Sequence, residues 1–114
     1  MQKNLSRFTA DLFKALAHPT RIAIVELLRN EGEIPVSQIC ERLRLEQANV
    51  SQHLAVLRSK QIVIWRKDAN QVFYSLRHPM LIRVLDRMHR YFQKHLSAEI
   101  DLLDAMIEEE SPPK

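Results

Sequence analysis

Gln47, Asn49, Ser51 and Gln52 place four amide and hydroxyl side chains at the start of the segment LEQANVSQHLAVLRSK, residues 45–60. Projected at about 100° per residue, Val50, Leu54 and Leu57 fall within roughly 60° of one another, so the segment reads as a helix with a narrow apolar stripe. The opposite arc holds Ala48, Gln52, Ala55 and Ser59, with Ser51 on its edge and Asn49 on the other flank. Asn and Gln amides can make bidentate bonds to adenine N6 and N7, and a Ser hydroxyl can bond several base edges. Small residues let such a helix backbone sink into the major groove, and the residues near its N-terminus are the ones that reach bases. Gln47, Asn49, Ser51 and Gln52 are therefore candidate base contacts. His53 projects about 60° from the apolar stripe and suits either a packed, hydrogen-bonded histidine or a further contact.

An ordinary solvated helix face would show the same residues; the neighbourhood distinguishes the two. Arg58 and Lys60 close the helix, and IVIWRKDANQVFYSL follows with Arg66 and Lys67 near its centre. Residues 42–94 carry eleven basic and three acidic side chains, whereas residues 1–41 balance at zero and residues 95–114 carry one basic and six acidic. A basic block centred on the polar helix is the footprint of a polyanion partner. Arg66 and Lys67 would meet phosphates, adding affinity without sequence information.

The elements that must position these groups can be read from periodicity. Leu5, Phe8, Leu12, Phe13 and Leu16 predict a first helix over 4–16. His18-Pro19 interrupts it, and Ile22, Val25 and Leu28 predict a second from about 19 to 30, with Gly32 placed for a left-handed stop. Pro35 opens a short link. Val36, Ile39, Cys40 and Leu43 then give a two-turn third helix, and the fourth begins about four residues later, a helix-turn-helix pattern over 36–60. Ile62–Arg66 and Gln71–Leu76, rich in β-branched and aromatic residues, predict a two-stranded hairpin around Lys67-Asp68-Ala69-Asn70. His78-Pro79 starts a fifth helix without a breaker to about residue 110. Leu85, Met88, Phe92, Leu96, Ile100, Leu103 and Ile107 recur there at close to the period of a straight helix, so the stripe stays on one side for about 45 Å. A chain of 114 residues can hardly bury such a stripe alone, and a second copy is the expected cover.

The expected fold class is thus mainly α with a small β-hairpin (α+β): a winged helix-turn-helix of five helices and a two-stranded wing over 62–77. It forms one domain, 1–114, dimeric through the terminal helices 1–17 and 79–110, with Leu85, Met88, Phe92, Leu96, Ile100 and Leu103 at the seam. The lone Cys40 excludes an intramolecular disulfide and fits a reducing cytoplasm. No run of about 18 apolar residues and no leader pattern is present, so neither a membrane span nor a signal peptide is expected.

Three segments together resemble the ArsR/SmtB winged-helix repressors: Leu16-Ala17-His18-Pro19-Thr20-Arg21, Val50-Ser51-Gln52-His53-Leu54 with Leu57-Arg58, and Val72-Phe73-Tyr74-Ser75-Leu76. The likeness runs from about Phe13 to Leu76. It implies a homodimer whose first and last helices pack together, which binds an imperfect palindrome in double-stranded DNA and usually represses an adjacent operon. Two departures stand out. The family usually has Gly after the recognition helix, where this chain has Ser59-Lys60-Gln61, so a non-Gly residue there is expected in a strained left-handed conformation. The wing tip, usually marked by Gly, offers Asn70.

The resemblance also sets out sensor sites against which this chain can be checked. Arsenic-responsive members place thiolates across the start of the third helix, because a soft ion needs clustered soft ligands. Here Pro35 and Ser37 occupy two of those positions and only Cys40 remains, on the apolar stripe, where it reads as a small core residue; a cysteine pair for persulfide sensing is equally missing. A second family site places acidic and His ligands on the last helix. Asp86/His89 and His95/Glu99 are i, i+3 and i, i+4 pairs that could each face one ion. Their spacing departs from the family's, and exposed ion pairs beside the dimer seam are the simpler reading. No cofactor is implied and the inducer is open.

The functional expectation is a sequence-specific DNA-binding transcription regulator, a repressor acting as a homodimer on a palindromic operator. The alternative is a winged-helix interaction module that dimerises or docks a partner without specific DNA binding. An enzyme is not expected: there is no Gly-rich phosphate loop and no motif assembling a Ser/His/acid set.

Overall fold

His18-Pro19 separates two helices for a local reason. In the computed structural model, which describes residues 2–110, α1 (Gln2–Leu16) ends and α2 (Pro19–Glu31) begins with His18 as its N-cap. The His18 ring nitrogen Nδ1 accepts the Thr20 backbone N–H at 3.1 Å, satisfying one of the orphan donors of the first turn, and Pro19 takes the position where a missing N–H costs nothing. Gly32 stops α2 with φ 82° and donates its N–H to the Leu28 carbonyl at 2.8 Å.

Next come β1 (Ile34–Pro35), α3 (Val36–Leu43) and α4 (Gln47–Ser59). The turn between the last two is made by Arg44, which is left-handed at φ 56° and ψ 48°. The Leu45 N–H then returns to the Cys40 carbonyl at 3.0 Å. β2 (Val63–Asp68), β3 (Gln71–Leu76) and α5 (Pro79–Glu110) complete the chain.

The expected two-stranded wing is corrected: the sheet has three strands in the order β1-β3-β2, all antiparallel, with Ile34 opposite Tyr74 and Pro35 opposite Phe73. A two-residue strand has no alternation to read, and Pro35 can sit in it because an edge strand tolerates a missing donor. The hairpin is also tighter than expected. β2 runs on to Asp68, paired with Gln71, leaving only Ala69-Asn70 in the turn. Ala69, not Asn70, takes the left-handed conformation at φ 54°. After α4 the expected strained position is Gln61 at φ 58°, where Gln61 and Ile62 donate to the Arg58 and Leu57 carbonyls, both at 2.9 Å.

The described residues form two compact units, one running to Pro79 and the other beginning at Met80. In the first, the core is Ala15 and Leu16 of α1, Ile24, Val25 and Leu28 of α2, Ile39 of α3, Val50, Leu54 and Leu57 of α4, and Ile34, Ile62 and Val63 from the sheet and its approach. Among the described residues, every buried side chain is apolar. The three α4 residues are at most 1% exposed, which fixes that helix's rotation about its axis. The second unit is α5, a single helix with Phe92, Leu96 and Leu103 each more than half exposed and Leu85 and Met88 partly covered. No helix among the described residues is long and apolar enough to cross a membrane.

Candidate nucleic-acid interface

Because Val50, Leu54 and Leu57 face inward, the rest of α4 is presented outward. Gln47, Asn49, Ser51 and Gln52 are all exposed, as are Ala48 and Ala55. None of the four polar side chains is hydrogen-bonded to another described residue. Their donors and acceptors are available on a helix that cannot roll.

His53 lies on the shoulder of this face and is half-buried. Its Nδ1 accepts from Arg21 Nε at 3.3 Å, and its ring meets that of His18 with centroids 4.4 Å apart. Arg21 also donates through Nη1 to the Ala15 carbonyl at 2.8 Å, so one guanidinium ties the end of α1 to α4. Burial, with His18 and Arg21 adding unfavourable charge, holds the His53 imidazole below its ordinary range. His53 is thus packed and hydrogen-bonded, as the first of its two expected roles requires.

The basic candidates differ in how they are held. Arg58 stacks its guanidinium 4.7 Å over the Trp65 ring, and Lys60 lies 3.9 Å from Asp11 of α1. Arg66 lies three residues short of the turn, opposite Phe73, instead of at the tip. It covers the Phe73 ring at 4.7 Å and grips Glu33 with one edge of its guanidinium, Nη2 to Oε1 at 2.7 Å and Nε to both carboxylate oxygens at 3.0 Å. Asp68 approaches Nη1 at 3.6 Å. The Arg66 guanidinium holds the Glu33 carboxyl below the usual carboxylate range. Lys67, one residue on, is exposed and has no ion pair to a described carboxylate.

Ser37, Asn70 and Gln71, not among the sequence candidates for this face, join Gln47 on it. Ser37, Gln47, Asn70 and Gln71 line an open cavity of about 270 Å³ with Pro35, Val36 and Val72. The N-cap residues of α3 and α4, Pro35 and Glu46, make no side-chain capping bond, so first-turn N–H groups of both helices remain available near it. Two helix N-termini beside polar amides suit an anionic oxygen. The uncapped starts were visible as Pro35 and Glu46; that they share a cavity with the hairpin turn depends on the third strand.

The metal candidates are not gathered. His95 Nε2 pairs with Glu99 Oε1 at 3.2 Å one turn along α5, and no group of three or more His, Cys, Asp or Glu side chains suited to a metal occurs among the described residues. Asp86 and His89 lie further up the same helix and are themselves engaged. Cys40 is half-buried on α3.

Comparison with known proteins places this arrangement among others. Residues 18–64 match the family described as bacterial regulatory protein, arsR family. The chain is 36% identical over 104 residues to the HTH-type transcriptional regulator Rv0081 of Mycobacterium tuberculosis, covering 88% of each chain. The crystal structure of that protein superposes with a TM-score of 0.77, covering 84% of this chain and 96% of that one at 35% identity. The transcriptional activator HlyU of Vibrio cholerae is 36% identical over 92 residues, 81% of this chain and 83% of HlyU. The homodimeric winged helix-turn-helix DNA-binding domain Mb0332 from Mycobacterium bovis matches with a TM-score of 0.78 and 25% identity over 85% of this chain and 89% of its own.

Proposed function

This chain belongs to the arsR family of bacterial regulatory proteins, and from that premise we propose that it is a homodimeric, sequence-specific DNA-binding regulator that occupies a palindromic operator and represses transcription. The observation that carries the reading is the rotational locking of α4: a fully buried stripe of Val50, Leu54 and Leu57 under exposed Gln47, Asn49, Ser51 and Gln52. In this reading α3 crosses the DNA backbone and α4 enters the major groove. Lys67 and the α3 and α4 N-termini hold phosphates, which positions the helix but carries no sequence information.

The homodimer rests on two supports. α5 exposes a run of large apolar side chains, Phe92, Leu96, Ile100, Leu103 and Ile107, of the kind that marks an interaction surface, and the related Mb0332 domain is homodimeric. We take residues 1–17 and 79–110 as the dimerisation helices, framing a single DNA-binding domain. A two-fold dimer then reads two half-sites about one helical turn, 10–10.5 bp, or a multiple of it apart. A dimer seated on a promoter excludes other proteins from that DNA, and repression is the expected consequence. Pro35 and Ser37 stand where thiolates would be needed, so the signal that releases the protein is not a thiolate-bound ion at α3.

Gln52→Ala tests the reading. It is expected to cost about 1–3 kcal/mol on operator DNA and to relax preference at one base pair, while affinity for random duplex stays unchanged. Equal losses on both DNAs would remove Gln52 from base reading. Binding that barely responds to salt would favour an interaction module instead.

A further inference from the structure

The wing of this protein carries its own counter-charge. Arg66 is the basic side chain of the wing best shaped for phosphate, because its planar fork matches two oxygens at once. One edge of that fork, Nε and Nη2, is already taken. Glu33, just before β1, takes Nη2 and Nε at 2.7–3.0 Å, and the guanidinium carbon lies over the Phe73 ring of β3, 4.7 Å from its centroid. Glu33 and Arg66 therefore span the sheet from one edge strand to the other, across β3. Both side chains are exposed, 38% for Glu33 and 53% for Arg66. The pair is exposed and screened by solvent, so even with two-point geometry its contribution to stability is modest and leaves room for a second role. Electrostatically it sets a carboxylate against one guanidinium of the wing and so lowers the local positive charge.

We propose that Glu33 is a built-in brake on DNA affinity, which holds Arg66 along the sheet and withholds one phosphate contact per wing. The inference rests on the DNA-binding reading above. A phosphate contact made by Arg66 would be indifferent to sequence, so withholding it lowers binding to all DNA alike. Operator contacts through α4 are left intact. The regulator is thereby kept from spending its time on random sequence, which vastly outnumbers operators.

The test uses the full chain and a fluorescein-labelled random-sequence duplex of about 30 bp, with affinity read by anisotropy across a salt series. Glu33→Gln and Glu33→Ala should each tighten binding. With two wings per dimer, two extra phosphates should steepen the log–log salt slope by about two, so the affinity lost between 50 and 200 mM salt grows by about tenfold. Arg66→Ala should change the parent slope little, and in the Glu33→Gln background it should erase the gain. Weaker binding in both Glu33 variants would make the pair a support for DNA binding and overturn the proposal. An unchanged slope, or a gain that survives Arg66→Ala, would overturn it equally. If the parent itself fails to bind duplex at 50 mM salt, it is the DNA-binding reading that falls.

Discussion

α4 and α5 are both amphipathic helices, yet they meet opposite fates. In α4 the apolar stripe is buried to 1% exposure or less, while in α5 Phe92, Leu96 and Leu103 remain more than half exposed. The stripe of α4 is short and is covered by neighbours in its own unit, so its polar side is held rigidly outward. The stripe of α5 is as long as the helix and has no such cover within its unit. One helix completes a fold; in the proposed function the other is left for a second molecule to complete. In the proposed function these are the two requirements of an operator-binding dimer, a fixed reading face and a fixed distance between two of them.

The contrast can be broken at either end. Leu96→Asp places a charge on the α5 stripe and should abolish the dimer. Sedimentation should then show monomer at micromolar concentration, with operator affinity down by more than about two orders of magnitude because half the contacts are lost. The head should still fold. A variant that remains dimeric would show that the seam lies elsewhere. Leu54→Ala cuts into the other stripe and should destabilise the protein by about 2–5 kcal/mol, read from the denaturant midpoint. Unlike the Leu96 change, it should do so whether or not the protein is dimeric.

Smaller effects sharpen the division within the reading head. Lys67→Ala should weaken operator and random DNA by the same factor and flatten the salt slope by about one per wing. A loss confined to operator would make Lys67 a base reader. His53 supplies the smallest effect. Its imidazole is held below its ordinary value of 6.5 in the folded protein. As pH falls through that value, the unfolded chain takes up the proton first. Stability is therefore full above the ordinary value and declines as pH drops toward the depressed one. His53→Gln should remove this part of the slope between pH 7.5 and 5.5. An unchanged slope would mean that burial of His53 beside His18 and Arg21 does not depress its titration.

Much of this was legible in the sequence, because long periodic stripes carry their own signal. The five helices, and the inward face of α4, follow from residues such as Val50, Leu54 and Leu57. What escaped was short or non-local. β1 is two residues long and exists only because Tyr74 and Phe73 lie beside it. The left-handed Arg44 and Ala69 have no glycine to announce them. The role of Arg66 depended on Glu33, 33 residues away, which no helical or strand spacing brings together. The packing of His53 against Arg21 and His18 likewise joins residues far apart in sequence.

The central claim is that a two-fold pair of α4 helices reads a specific sequence. Selection of genomic fragments by the purified full-length protein, followed by sequencing, tests it most directly. The retained fragments should share an inverted repeat whose half-sites lie about 10–10.5 bp, or a multiple of that, apart, and Gln52→Ala should lose the enrichment. Retention of fragments without any shared motif, or of a single unrepeated half-site, would contradict it.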